Sequence, residues 1–230
     1  MTKNVLVIAA HPDDEVLGCG ATIAKHVDNG DEVYVIILAE GVTSRDVKRN
    51  PQNRNVELSE LANAAHKANK ILGVKSLTLH NFPDNRIDSL DLLDVIKVIE
   101  KFIHECRPEI VYTHHSGDVN IDHRIIHEAV VTACRPIPSQ LVKALLFFEI
   151  PSSTEWQVPG SAPFFAPNWF VDISNTLPRK LEALETYATE MRLWPHARSL
   201  EAVTSLAKWR GATVGVEAAE AFIIGRNLVK

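Results

Sequence analysis

A chain of 230 residues with 46% hydrophobic content is long and apolar enough to bury one substantial core, which excludes a disordered chain. Its 24 basic and 29 acidic residues are spread along the sequence for a net charge of −5, so no basic stripe marks a nucleic-acid surface and a small ligand is expected. No apolar run approaches the length of a membrane span, the six-residue apolar segment before His11 is too short for a signal peptide, and Cys19, Cys106 and Cys134 are spaced as reduced thiols, so a cytoplasmic protein is expected.

Val5 to Ala10 is a continuous apolar run rich in β-branched side chains, which predicts a strand covered on both faces. Pro12 biases His11 toward an extended conformation, so His11, Asp13 and Asp14 are held at the carboxyl end of that strand, the edge where open α/β sheets bind ligands. His11 and Asp14 can turn a ring nitrogen and a carboxylate oxygen toward a common point, a partial ligand set for a zinc-type ion that needs a third member from elsewhere. Asp13 would stay free to accept a proton. The plainer reading is that one of the two aspartates caps the following helix.

Val16 to Asn29 predicts that helix, stopped by Gly30. Gly18 and Gly20 mimic a dinucleotide fingerprint, but its third glycine is missing and the acidic pair before them would repel a pyrophosphate. Glu32 to Ala39 predicts a second buried strand. The polar stretch 42–53 has no periodicity and reads either as a lid offering Ser44 or Arg45 to a substrate or as a solvated loop. Helix spacing returns from Arg54 to Leu72, ended by Gly73, and Ser76 to Leu79 is a short third strand. In the loop after it, Asp84, Asn85 and Arg86 offer the donors and acceptors that sugar hydroxyls need.

Leu90 to Cys106 is amphipathic and closes at Arg107-Pro108; Ile110 to Thr113 is a fourth strand. It delivers His114, His115, Asp118, Asp122 and His123 to the same edge, a cluster of the kind that builds metal sites. Asp122 is placed to cap the helix beginning near His123 and to support it. His127 follows one turn later, but Arg124 stands where the two-histidine helical zinc motif has glutamate. Strands are further expected at Lys143 to Ile150, Trp169 to Ile173 and, at an edge, Ala221 to Gly225; helices at Thr176 to Met191 and Leu200 to Arg210. Residues 151–167, rich in proline and aromatics, would wall a pocket or pack on another subunit. The alternation predicts an α/β, Rossmann-like, doubly wound and mostly parallel sheet with helices on both faces. A single domain spans 1–230, with a core of about 1–150 and a C-terminal elaboration of about 151–230.

Ala10-His11-Pro12-Asp13-Asp14-Glu15 after the first strand, with Asn120-Ile121-Asp122-His123 opening a later helix, resembles the LmbE-like family of zinc-dependent de-N-acetylases, which includes the PIG-L proteins. Arg54 to Val74 looks like the family's second helix, and Phe82 to Arg86 sits where the family has an Asp-bearing substrate loop. The resemblance implies that His11, Asp14 and His123 hold Zn2+, or another divalent ion such as Fe2+, and that Asp13 is the general base. It also implies that Arg54, Asp84 and Arg86 orient an N-acetylated sugar or sugar conjugate. Many members have His-Pro-Asp-His in the second motif, whereas this chain has Asn120 at the first position; Asn can donate to an oxyanion but cannot deliver a proton. Delivery then falls to His115, His196 or Asp13 itself, with His114 a further available imidazole. A metal hydrolase of non-sugar amides or esters, or a ligand-binding module with reduced catalysis, would carry the same residues. The family is often oligomeric, so a homo-oligomer is compatible with the sequence.

Overall fold

The computed structural model describes residues 2–138 and 140–229. In chain order it contains β1 (Asn4–Ala9), α1 (Asp14–Asp28), β2 (Glu32–Ala39), α2 (Asn55–Leu72), β3 (Ser76–Phe82), α3 (Leu92–Cys106), β4 (Ile110–His114), α4 (Ile121–Ala133), β5 (Ala144–Phe148), β6 (Trp169–Asp172), α5 (Leu177–Glu185), α6 (Leu200–Ala212) and β7 (Ala219–Asn227). The sheet order is β3-β2-β1-β4-β5-β7-β6, with β1 to β5 parallel and β7 antiparallel to both its neighbours. This is the doubly wound α/β arrangement that the alternation of patterns predicts.

Strand β1 shows why. Side chains alternate across a strand, so Val5, Val7 and Ala9 join the core built with α1, α2 and α5, while Leu6, Ile8 and Ala10 join the core built with α3 and α4. A strand buried on both faces must be apolar throughout, and each buried Val, Leu or Ile contributes about 1.5–3 kcal/mol. Because β2 and β4 flank β1, the chain leaves the carboxyl end of β1 toward one face and that of β4 toward the other. Those two loops border the crevice at the topological switch point.

Four expectations differ in detail. Ala221–Gly225 is an interior strand, because β6 pairs outside β7 and forms the edge. The helix expected to reach Met191 ends at Glu185 and gives way to turns. Residues 42–53 contain 3-10 turns at Thr43–Arg45 and toward Pro51–Arg54, and are tied down by a two-pronged Arg49–Glu40 pair. The cap of α4 is Asn120, whose side chain accepts from the amides of Asp122 and His123, which frees the Asp122 carboxylate. The weak helix propensity near Gly18 and Gly20 shows as a break in α1 at Cys19 (φ −150°). Glu220 of β7 accepts from the amides of Ala21 and Thr22, and Lys180 of α5 donates to the Leu17 carbonyl and to Glu220 at 2.6 Å. The backbone groups freed by the break are thus met by a buried ion pair from the C-terminal third. Among the described residues, no helix is long and apolar enough to cross a membrane.

Candidate metal centre and active site

The loop after β1 is wound tightly on itself. His11 N–H donates to Asp14 Oδ2 at 2.8 Å, and Asp14 N–H returns to the His11 carbonyl at 3.2 Å. Asp13 sits at φ 110°, a backbone region that costs a non-glycine residue about 1–3 kcal/mol. Glu15 holds it there: one carboxylate oxygen accepts from Asp13 N–H at 3.1 Å, and the other from the Tyr187 hydroxyl at 2.6 Å and the Asn69 amide at 2.9 Å. Burial pushes the Glu15 carboxyl up to about 7, against these donors. Gly41, at φ +74°, lets the loop after β2 approach, since a Cβ there would stand 2.7 Å from Leu61 and 3.4 Å from Pro12.

Three donor atoms converge from the two loops. His11 Nδ1 lies 3.3 Å from Asp14 Oδ2, His123 Nε2 lies 3.2 Å from the same oxygen, and the two ring nitrogens are 3.4 Å apart. A tetrahedron with bonds of about 2.0–2.1 Å has edges of about 3.3–3.4 Å, so this near-equilateral triangle has the size of one face of a zinc site. The far nitrogen of each ring meets a carboxylate: His11 Nε2 faces Asp122 Oδ2 at 3.1 Å and Asp84 Oδ1 at 3.3 Å, and His123 Nδ1 faces Asp118 Oδ2 at 3.2 Å. Carboxylate–histidine pairs of this kind orient metal-ligating rings. Asp122 is itself fixed by the amides of Asn85 (2.7 Å) and Ile87 (3.0 Å); Asp118 accepts from Ser153, from Thr154 (2.8 Å) and from Asn120 N–H (2.9 Å).

The electrostatics agree with the geometry. Burial alone would lower the His123 imidazolium, yet the Asp14 and Asp118 carboxylates raise it to about 9, and Asp118 is drawn down to about 2 in spite of its burial. The cluster therefore favours positive charge at its centre, as a cation site should. His114 is different. Its Nε2 accepts from Ala10 N–H at 2.8 Å, and burial keeps the ring neutral, so it supports the β1 exit rather than joining the donors.

Asp13 lies beside this triangle with its carboxyl raised by burial and by the neighbouring Asp14 charge, and only partly restrained by Arg198, whose Nη1 is 3.2 Å from Asp13 Oδ2. A raised carboxyl next to an activated water suits a proton acceptor. Arg198 comes from the loop 192–198, closed by Arg192 N–H to the Arg198 carbonyl at 3.3 Å and by Arg198 N–H to His196 Nδ1 at 3.0 Å. A cleft of about 290 Å³ opens over these groups, and Asp84, Asn85, Asn120, Ser152, Ser153, Glu190 and Arg192 also line it.

Several residues singled out from the sequence stand elsewhere. His115 Nε2 is 2.9 Å from the Pro163 carbonyl, and His196 braces its own loop against Trp156; neither lines the cleft. Arg54 is spent on Asp46 and Glu57, and Arg86 on the carbonyls of Asp46 and Val47, also off the cleft. Asp84 does line it, but turns an oxygen to His11. Asn120 lines it too, with its oxygen on the α4 amides and its Nδ2 donating to Asn85 Oδ1 at 2.9 Å. Sequence reading counted Asp118 in the cluster after β4 without giving it a partner, and gave no role to Glu190, Arg192 or Arg198. The signal at hand was Arg198-Ser199 at a helix start, where Ser199 caps α6.

The family model for PIG-L, GlcNAc-PI de-N-acetylase, matches residues 6–134, which hold both halves of the donor triangle. The chain belongs to the PIG-L family. Similar PIG-L relatives include an uncharacterized deacetylase, YaiS, of Escherichia coli, 35% identical over 158 residues, or 66% of this chain and 76% of that one. A probable N-acetyl-α-D-glucosaminyl L-malate deacetylase of Bacillus anthracis is 26% identical over 190 residues, covering 82% and 81% of the two chains. A 4-oxalmesaconate hydratase of Pseudomonas putida is 26% identical over 248 residues, covering 98% and 88%. Among solved structures, the conserved protein TT1542 of Thermus thermophilus superposes with TM-score 0.76 at 25% identity, covering 100% of this chain and 97% of that one.

Proposed function

We propose that this PIG-L protein is a divalent-metal-dependent hydrolase that removes the N-acetyl group from an amino-sugar derivative, with His11, Asp14 and His123 holding the ion. The observation that carries the reading is the triangle of donors at 3.2–3.4 Å with a spare, elevated carboxyl, Asp13, beside it. When bound, Zn2+ or a similar ion would supply Lewis-acid activation of water and of the acyl carbonyl. Asp13 takes the proton from the attacking water, and Arg198 keeps that carboxylate turned inward. His11 and His123 are the imidazoles lining the cleft and both are ligands, so Asp13 also returns the proton to the departing amine. The named deacetylases among the relatives support the reaction class, and the reduced, buried Cys19 and Cys134 accord with a cytoplasmic enzyme.

Acetate release from a panel of N-acetylated amino sugars, measured on protein loaded with Zn2+ or Fe2+, tests this. Asp13→Asn should keep its metal and lose about 10²–10⁴ in kcat. Full turnover in that variant would exclude the base, and a panel without acetate release would exclude the activity. Non-sugar amides, esters and 4-oxalmesaconate belong in the panel, because one relative similar over nearly the whole chain is named a hydratase.

A further inference from the structure

At the amino ends of the strands, opposite the edge that carries the donor triangle, lies a second and larger cavity of about 510 Å³. Its floor is one face of the sheet. Ile110 and Tyr112 of β4, Ala144 and Leu146 of β5, and Trp169 and Val171 of β6 are alternate residues, so each strand presents the same side to the cavity. Thr22, Lys25 and His26 from the last turns of α1 form a wall, and Asn227 to Val229 also border it. A cavity of this size, mostly apolar with a few polar groups, has the build of a small-molecule site.

The polar groups say what kind of molecule fits. Tyr112 is closed off from a ligand, because its hydroxyl lies 3.0 Å from His26 Nε2, and His26 Nδ1 lies 2.8 Å from Asp31 Oδ2. Burial, helped by the Lys3 and Lys25 ammonium groups, holds that imidazole below its ordinary value in spite of Asp31, so the ring stays neutral. Thr22 keeps a buried hydroxyl that has no hydrogen-bond partner among the described residues. The charges that line the cavity are three lysines, Lys3, Lys25 and Lys143, against one carboxylate, Glu109. Lys143 pairs with Glu109 at 2.5 Å. Lys25 donates to the Asp172 carbonyl, while the Asp172 carboxylate is turned to Ser174. The Lys3 ammonium has no ion pair among the described residues. An apolar floor under an excess of ammonium groups is complementary to a molecule with a greasy body and one negative end.

We infer that this cavity is a second ligand site, separate from the metal centre, and that it takes an apolar monocarboxylic acid, its body on the sheet face and its carboxylate held by Lys3 and Lys25. Calorimetry on the metal-loaded protein compares 2-naphthoate with the neutral 2-naphthylmethanol, before and after chelation of the metal. The wild type should bind the acid about five- to tenfold more tightly than the alcohol, with a margin that added salt erodes and chelation leaves unchanged. Lys3→Glu should abolish the margin, and Trp169→Ala should weaken both compounds; both side chains are exposed, so both variants should keep the parent's Tm. Equal affinities in the wild type, indifference to both substitutions, or no binding at millimolar ligand overturns the inference. Binding of the acid that disappears on chelation overturns it as well, by placing the carboxylate at the metal. Sedimentation that shows a dimer, split by Trp169→Ala and untouched by 2-naphthoate, gives the face to a second copy of the chain instead.

Discussion

Asp122 offers the sharpest test of how the centre is held together. The residue is fully buried, and its two oxygens accept from the amides of Ile87 and Asn85 while Oδ2 also faces His11 Nε2. In Asp122→Ala both amides lose their acceptor. At about 1–3 kcal/mol for each buried group left unmade, the fold should lose about 2–6 kcal/mol, and at about 2–4 °C per kcal/mol for a chain of this size the Tm should fall by roughly 5–20 °C. The imidazole of His11 loses the partner that fixes its orientation, so metal affinity should drop about 10–100-fold. Calorimetric melts of the chelated protein measure the first effect, and competition with a chelator of known affinity measures the second. A variant with the parent's Tm and metal affinity would refute the claim that Asp122 ties the loop after β3 to His11 in the loop after β1.

Three further outcomes are expected. Gly117→Ala would place a Cβ 1.9 Å from the Pro163 carbonyl and 2.7 Å from His115 Nε2, so it should destabilise by about 1–3 kcal/mol through forced displacement of the 115–120 loop; a denaturant midpoint equal to the parent's contradicts it. His123→Ala should lose the metal and His127→Ala should retain it, because His127 Nδ1 lies 2.8 Å from the His114 carbonyl; elemental analysis with the opposite pattern would move the site to His127. Glu15, held at about 7 in the fold, is raised above its unfolded value, so its contribution is greatest below about pH 4.5 and is lost as pH rises toward 7. Glu15→Gln, which the unpartnered Asn69 Oδ1 can accommodate, should be the more stable protein at pH 8 by about 3 kcal/mol relative to the same comparison at pH 4; a pH-independent difference is the contrary result.

The donor triangle was legible because each of its members stands where a strand gives way to a helix: His11 beside Pro12, Asp14 at the first residue of α1, and His123 in the first turn of the helix that Asn120 caps. The doubly wound sheet was legible for a similar reason, since two-sided burial leaves its mark residue by residue in Val5 to Ala10. What stayed hidden depends on contacts between distant segments. Arg198 meets Asp13 across 185 positions, and nothing local distinguishes it from Arg54, which finds Asp46 and Glu57 first. His196 and His115 carry the right chemistry, but the loops around them aim one at a backbone amide and the other at a carbonyl. The interior place of β7 was equally out of reach, because a short apolar stretch near a C-terminus does not say which strands lie on either side of it.

The hydroxyl of Tyr187 reaches back from beyond the end of α5 to brace Glu15, and through it the twisted backbone of Asp13. The donor triangle and the buttress behind the Asp13 backbone are therefore written in separate stretches of the chain. The segment around residues 186–198, which carries Tyr187 and the cleft-lining Glu190, Arg192 and Arg198, can thus vary without touching His11, Asp14 or His123, so one set of converging donors could be combined with different surroundings.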